Sequence, residues 1–356
     1  MQKFSKIYHT IISVPNLFLS WEEFRHDKRH KEDVIAFEKD IEQNLFALYS
    51  ELKSETYQHG PYQGFYIQDP KQRHIHKAQV RDRVVHHALF RVLNSIFEPT
   101  FIATSFSCRI GFGTHRGVAV LENMLRSVSR NNTRPCFALK CDVRKFFDSV
   151  DHDILFDIIS KRITDLRALQ LIQNIIQSYS LQVGTFERER ERESKEGSRK
   201  TGIPIGNLTS QLFANIYMNE FDQFVKHTLR IKNYVRYTDD FVIVSDSQAY
   251  LMELTPVLNS FLHNQLRLTL HPHKTSIRKF SQGIDFLGYV VFPTHRLVRS
   301  KTRQRIIRNI RHKLDEYRNG KIVEKKLLQT MQSYRGVLSH ADTFELGQKI
   351  ENMWYE

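Results

Sequence analysis

Cysteine is scarce in this chain, with three in 356 residues, at Cys108, Cys136 and Cys141. Three thiols build no disulfide framework, and their spacing matches no zinc module. Long apolar runs are missing as well. No stretch approaches the roughly 18 residues that suggest a membrane span, and Met1-Gln2-Lys3-Phe4 opens on mixed polar sequence without a signal-peptide pattern. A membrane is therefore set aside as a partner, and a reducing cytoplasm fits. Acidic residues are also short: 39 Asp and Glu against 53 Lys and Arg leave a net charge of +14 and a pI near 9.6. Such a surface favours phosphate backbones through counterion release. The pairs His74/His76, His86/His87 and His271/His273 lack further ligands at suitable spacing and are read as surface, nucleic-acid-facing or structural residues. There is no internal repeat, and the length exceeds one average domain.

What the chain does have is Tyr237-Thr238-Asp239-Asp240, set between the apolar or aromatic runs Tyr234-Val235-Arg236 and Phe241-Val242-Ile243-Val244. Two such runs around a short polar turn predict a β-hairpin. Adjacent carboxylates at its tip repel unless a cation lies there, and Mg²⁺ is held by a few carboxylate oxygens while keeping sites for water and phosphate. A solvated turn accounts for the tetrapeptide equally well on its own. A third carboxylate shifts the balance. Cys136-Phe137-Ala138-Leu139-Lys140-Cys141 reads as a strand and runs into Asp142, which would then stand near the hairpin tip. Carboxylates from two elements that clamp two divalent ions about 3.5–4 Å apart are the apparatus of nucleotidyl transfer.

Asp142 with Phe146-Phe147-Asp148 resembles the first catalytic motif of reverse transcriptases, and Tyr237–Asp240 resembles their Tyr-x-Asp-Asp box. Between them, Gly202-Ile203-Pro204-Ile205-Gly206-Asn207-Leu208-Thr209-Ser210-Gln211 is similar to the motif that packs template and incoming nucleotide. Arg73–Phe97, with Asp82-Arg83-Val84-Val85, resembles the fingers segment, Ser105–Gly113 the loop after it, and Phe286–Val291 the primer-grip strand. The resemblance covers nearly residues 65 to 340. It implies an α+β right-hand polymerase, with an N-terminal helical extension over 1–64, fingers over 65–135, a palm of antiparallel sheet backed by helices over 136–292, and a helical basic thumb over 293–356.

Site roles follow from the resemblance. Asp142, Asp239 and Asp240, with the carbonyl of Val143, are the expected ligands of two Mg²⁺ ions, for which Mn²⁺ can substitute. Lys274 looks like the lysine that protonates pyrophosphate. Lys71 and Arg73 are expected to neutralise the triphosphate, the latter in bidentate fashion. Phe147, five residues after Asp142, stands where the family places an aromatic gate against a 2′-hydroxyl, which implies DNA synthesis; a core ring is the alternative. Ile205, Gly206 and Gln211 shape the nucleotide and template pocket. Most bacterial members carry Gln-Gly-x-x-x-Ser-Pro here. The Ile-Gly-x-x-x-Ser-Gln form is similar to the enzymes of diversity-generating retroelements, which copy a template RNA with errors at adenines. An apolar residue at 205 removes a hydrogen-bonding term of about 1–3 kcal/mol from base discrimination, unless it serves only packing. The implied partners are template RNA, the RNA/DNA hybrid, dNTPs and a basic, pentameric accessory protein, in a bacterial or phage-encoded cytoplasmic enzyme. Defence-associated and group II intron-derived reverse transcriptases, and a non-catalytic RNA-binding scaffold, are the rival readings.

Helical patterns complete the expectations. Val34, Ile35, Phe37, Ile41, Leu45 and Leu48 predict one helical segment from about Trp21 to Leu52, and Val84, Val85, Ala88, Leu89, Val92, Leu93 and Ile96 on one face predict a second helix over Arg83–Phe97. Residues 300 to 356 read as helical and basic. The strictly alternating Glu187-Arg188-Glu189-Arg190-Glu191-Arg192-Glu193 reads as an exposed hairpin or loop. No room is seen after the thumb for a maturase, endonuclease or ribonuclease H extension.

Overall fold

A computed structural model describes residues 2–68, 72–186 and 200–355; Lys71 and the alternating segment 187–193 lie outside them. The chain divides into two compact units, one of residues 1–103, 143–230 and 258–271, the other of residues 104–142, 231–257 and 272–356.

In the first unit the helix Val80–Phe97 lies against Val14–Arg25 and Leu208–Gln223. It buries Val84, Val85, Ala88, Leu89, Leu93 and Ile96, the face its apolar spacing predicts. A buried amide ties the packing together: Asn16 Nδ2 donates to the carbonyls of Ile11 (2.8 Å) and Ala88 (3.1 Å). The helix Leu208–Gln223 is buried on most of its surface: Leu212, Phe213, Ile216, Tyr217, Met218 and Phe221 are in the core, and so are the polar Thr209, Ser210, Asn215 and Asp222. A two-stranded antiparallel ribbon, β1 (Gln63–Ile67) and β2 (Arg73–Lys77), completes this unit's strands.

The expected single helix over 21–52 is three: Val14–Arg25, Glu32–Lys39 and Ile41–Lys53. The first break falls in Arg25-His26-Asp27-Lys28-Arg29-His30-Lys31, which has no apolar side chain to bury, and Asp27 turns to φ +60°. Val34, Leu45 and Leu48 are core, whereas Ile35 is 44% exposed.

The second unit is built on a four-stranded antiparallel sheet in the order β4-β5-β3-β6. Its strands are β3 (Phe137–Asp142), β4 (Tyr234–Tyr237), β5 (Asp240–Ser245) and β6 (Ser276–Lys279). A second antiparallel sheet follows: β7 (Ile284–Phe286), β8 (Tyr289–Val291) and β9 (Arg296–Val298). The helix Thr114–Val128 covers the larger sheet, with Val118, Leu121 and Leu125 packed on Ala138, Val235, Val242 and Val244. The same core continues through Phe286 and Val291 into Ile306, Ile310, Leu327 and Met331 of the C-terminal helices Ser300–Arg318 and Glu324–Leu338, and ends in Phe344–Tyr355. The helical, basic C-terminal stretch is thus as expected. Among the described residues no helix is long and apolar enough to cross a membrane.

Candidate active site

The predicted hairpin is present, and it is as tight as a hairpin can be. Tyr237 pairs with Asp240, so Thr238 and Asp239 alone make the turn. Thr238 takes φ +57°, a conformation that a β-branched residue adopts only at a cost. Two hydrogen bonds hold it there: Thr238 Oγ1 donates to Ser107 Oγ at 2.6 Å, and Arg236 Nη1 donates to the Thr238 carbonyl at 2.8 Å. Arg236 is fully buried, and its backbone exchanges hydrogen bonds with Thr104 and Phe106. A guanidinium is thus fixed beneath the turn. Its charge and rigidity keep the acidic tip in one shape.

Asp142 is the last residue of β3 and stands directly opposite Asp240 in the β3–β5 register. Side chains opposite one another in an antiparallel pair share a face, with Cβ atoms about 4.5–5.5 Å apart. Two carboxylates in that relation repel, and the effect is visible in the acidity of Asp240. Burial, together with the neighbouring Asp142 and Asp239 charges, pushes its pKa up to about 6, against the opposing pull of Lys140. Asp240 Oδ1 is buried without a hydrogen-bond partner.

Lysines stand among these acids. Lys274 Nζ donates to Asp142 Oδ1 at 2.7 Å, and Lys140 Nζ lies 3.5 Å from Asp240 Oδ2. No three His, Cys, Asp or Glu side chains converge as a ready-made metal cage among the described residues. The donor set nonetheless suits a hard divalent cation, because carboxylates from two strands face one another and Oδ1 of Asp240 is buried without a partner. Cys136 and Cys141 play no such part: burial pushes their thiols up to about 12.

Of the predicted nucleotide-facing residues, Arg73, Phe147, Ile205, Gly206 and Gln211 lie in the first unit. Phe146 is buried, while its neighbour Phe147 is half-buried and meets it edge-on at 5.4 Å. Of the pair, then, Phe146 is the core ring. Ile205 and Gly206 run alongside β2, where the His76 N–H donates to the Ile205 carbonyl at 3.2 Å. Gly206 takes φ +118°, a conformation that side-chain-bearing residues adopt only with strain, and a Cβ there would lie a tight 3.0 Å from Ile75 Cγ2. Arg73 opens the same strand and is exposed, as is Gln211 in the first turn of Leu208–Gln223. Val143 is buried and bridges to Leu270.

Residues 68–291 match the family model described as reverse transcriptase (RNA-dependent DNA polymerase). The chain belongs to that family. It is an RNA-dependent DNA polymerase by descent, and its mixed helices and antiparallel sheets are those of a right-hand polymerase. Protein YkfC of Escherichia coli strain K12 is 28% identical over 293 residues, covering 73% of this chain and 72% of that protein. The group II intron-encoded protein LtrA of Lactococcus lactis subsp. cremoris is 24% identical over 313 residues, covering 70% of this chain and 49% of LtrA. The chain thus spans about half the length of LtrA. Among solved structures, apo telomerase from Candida tropicalis, truncated from its C-terminal domain, aligns at 12% identity and a TM-score of 0.46, over 68% of this chain and 57% of that one.

Several residues of the site escape a reading of motifs. Lys140 shares a face of β3 with Asp142, because side chains two apart on a strand point the same way; that spacing was the available signal. Arg236, Ser107 and the strain at Thr238 carry no signal in sequence, since they depend on contacts between segments more than a hundred residues apart.

Proposed function

We propose that this chain copies a template RNA into cDNA by two-metal nucleotidyl transfer at Asp142, Asp239 and Asp240. The observation that carries the proposal is the placement of Asp142 directly across from Asp240 at the tip of a strained, buttressed hairpin in a reverse transcriptase. When bound there, Mg²⁺ or Mn²⁺ would acidify the primer hydroxyl and neutralise the departing pyrophosphate. The chain's own residues do the rest. Asp142 and Asp240 supply oxygens from two adjacent strands, Arg236 and Ser107 keep the turn from relaxing, and Lys274, which donates to Asp142, delivers a proton to pyrophosphate in this proposal. Arg73 neutralises triphosphate, with Lys71 in the same role, and the carbonyl of Val143 adds a ligand. The half-buried Phe147 excludes a 2′-hydroxyl. Fingers, palm and thumb divide the chain at about residues 65, 136 and 293.

For the biology we favour a diversity-generating retroelement, with errors concentrated at template adenines and a basic oligomeric accessory protein as partner. Support comes from Ile205 and Gln211 in place of the usual Gln and Pro. Ile205 contributes only its carbonyl to the hydrogen bond with His76, and its side chain has no polar atom to offer a base. A second reading, a group II intron-derived enzyme, is favoured by the intron-encoded protein LtrA among the relatives. Sequencing the products of primer extension on RNA with Mg²⁺ and dNTPs separates the two. Errors opposite adenines support the retroelement, and uniformly accurate copying refutes it.

A further inference from the structure

A line of alternating charge runs into the acidic pair from outside it. Lys140 Nζ lies 3.5 Å from Asp240 Oδ2 and 3.6 Å from Asp285 Oδ1, and donates to the Asp285 carbonyl at 3.0 Å. Asp285, the middle residue of β7, is in turn ion-paired with Arg299. The Arg299 N–H donates to the Gly288 carbonyl at 2.9 Å, and Arg299 is the residue from which the helix Ser300–Arg318 starts. The order is therefore Arg299 (+), Asp285 (−), Lys140 (+), Asp240 (−). Each member is only partly exposed, between 21% and 33% of its side chain, so the charges act through a medium less screening than open water.

The effect on Asp240 is specific. One carboxylate oxygen is turned to Lys140, and the other, Oδ1, is left buried without a partner. Asp142 and Asp239 press on the same carboxylate with like charge. Without a cation on Oδ2, nothing on this side would oppose that repulsion, and the side chain would be free to rotate away from the pair.

We propose that Lys140 is a positioning residue for Asp240, fixing which oxygen the carboxylate offers to a divalent cation, and that Asp285 and Arg299 hold Lys140 in place. The segment that leads into the C-terminal helices is thereby tied to the metal-binding carboxylate. The inference rests on the reading of Asp142, Asp239 and Asp240 as the metal site. It also opposes the plain alternative in sign: a lysine 3.5 Å from a ligand that acts only through its charge repels the cation, and its removal tightens binding.

The test is the affinity of the full chain for Mn²⁺, read by the electron paramagnetic resonance signal of unbound Mn²⁺, with thermal melts alongside. Lys140→Met keeps length and removes charge; binding should weaken by about tenfold, the usual effect of losing a partner that orients a metal ligand. Asp285→Asn and Arg299→Gln, made in the wild type, should weaken it less, and each should add nothing in the Lys140→Met background. Lys140→Arg should restore most of the affinity. Unchanged or tighter binding in a folded Lys140→Met overturns the proposal, and so do additive losses in the double variants. Should Lys140→Met melt below the assay temperature, Asp285→Asn alone decides by the same criterion. Asp142→Asn separates the two levels of the argument. If it leaves Mn²⁺ binding unchanged, the metal reading and the positioning role fall together; if it abolishes binding while Lys140→Met does not weaken it, only the positioning role falls.

Discussion

Replacing Asp240 by asparagine should make the protein more stable while destroying its activity. The side chain keeps its shape and loses its charge. In the folded chain the carboxyl titrates at about 6 rather than near 3.8, chiefly because it is buried and also because Asp142 and Asp239 lie beside it. The ionised form therefore carries about 3 kcal/mol of unfavourable free energy at pH 7.5, at 1.36 kcal/mol for each tenfold change in acidity. The sign follows from proton linkage: with the folded value above the unfolded one, the folded chain binds the extra proton, so stability is lost as pH rises from about 4 to 6. Asparagine has no such dependence. The gain in Asp240→Asn should be near 3 kcal/mol at pH 7.5, a figure already net of the Lys140 attraction, about half that at pH 5, and close to zero near pH 3.5. At a few degrees per kcal/mol for a chain of this size, the shift in melting temperature is readily measured. Thermal melts of both proteins in chelator, across that pH range, are the assay. Adding Mg²⁺ should then stabilise the wild type and not the variant. A variant less stable than wild type at pH 7.5, or a difference that does not shrink on acidification, would refute the argument that this acid is strained by burial and by its neighbours.

Three further substitutions probe separate links. Asp151 caps the helix His152–Ser160, accepting the N–H groups of Asp153 and Ile154 at 3.1 Å each, and pairs with Arg267 at 2.5 Å; Asp151→Ala should cost about 1–2 kcal/mol in denaturant unfolding, most of it from the cap because Arg267 is 40% exposed. Phe147→Val should lower the preference for dNTP over rNTP by tenfold or more in single-nucleotide insertion, and an unchanged preference would mean the ring is packing only. Ile205→Gln should reduce misincorporation opposite template adenine by about 5- to 150-fold, the range that 1–3 kcal/mol spans, as read by sequencing extension products.

The acidic hairpin was legible because two apolar strand runs flank a polar tip, a pattern set by neighbours in sequence. The long helix Val80–Phe97 was legible for the same reason, since its spacing repeats over five turns. Where the reading failed, a longer-range or opposing influence decided the outcome. Apolar residues recur at helical spacing from Val34 to Leu48, but the charged stretch from Arg25 to Lys31 gives the chain nothing to bury and breaks the helix there. At the site, the acids and Lys274 could be named from their motifs, but not the contacts between them. Asp142 and Lys274 are separated by 132 residues, and nothing in either segment announces a 2.7 Å contact between them. The buried guanidinium of Arg236 is hidden for a similar reason. An arginine in a strand reads as an exposed edge, and only the fold brings to it the Thr238 carbonyl and the backbone of Thr104 and Phe106.

The central claim is that the aspartates of the Tyr237–Asp240 turn drive DNA synthesis on RNA. Primer extension on an RNA template with Mg²⁺ and dNTPs, comparing the wild type with Asp239→Ala, tests it most directly. The wild type should extend the primer, and a variant that melts like the parent should not. Equal extension by both proteins, or none by the wild type with its own template RNA and accessory protein supplied, would contradict it.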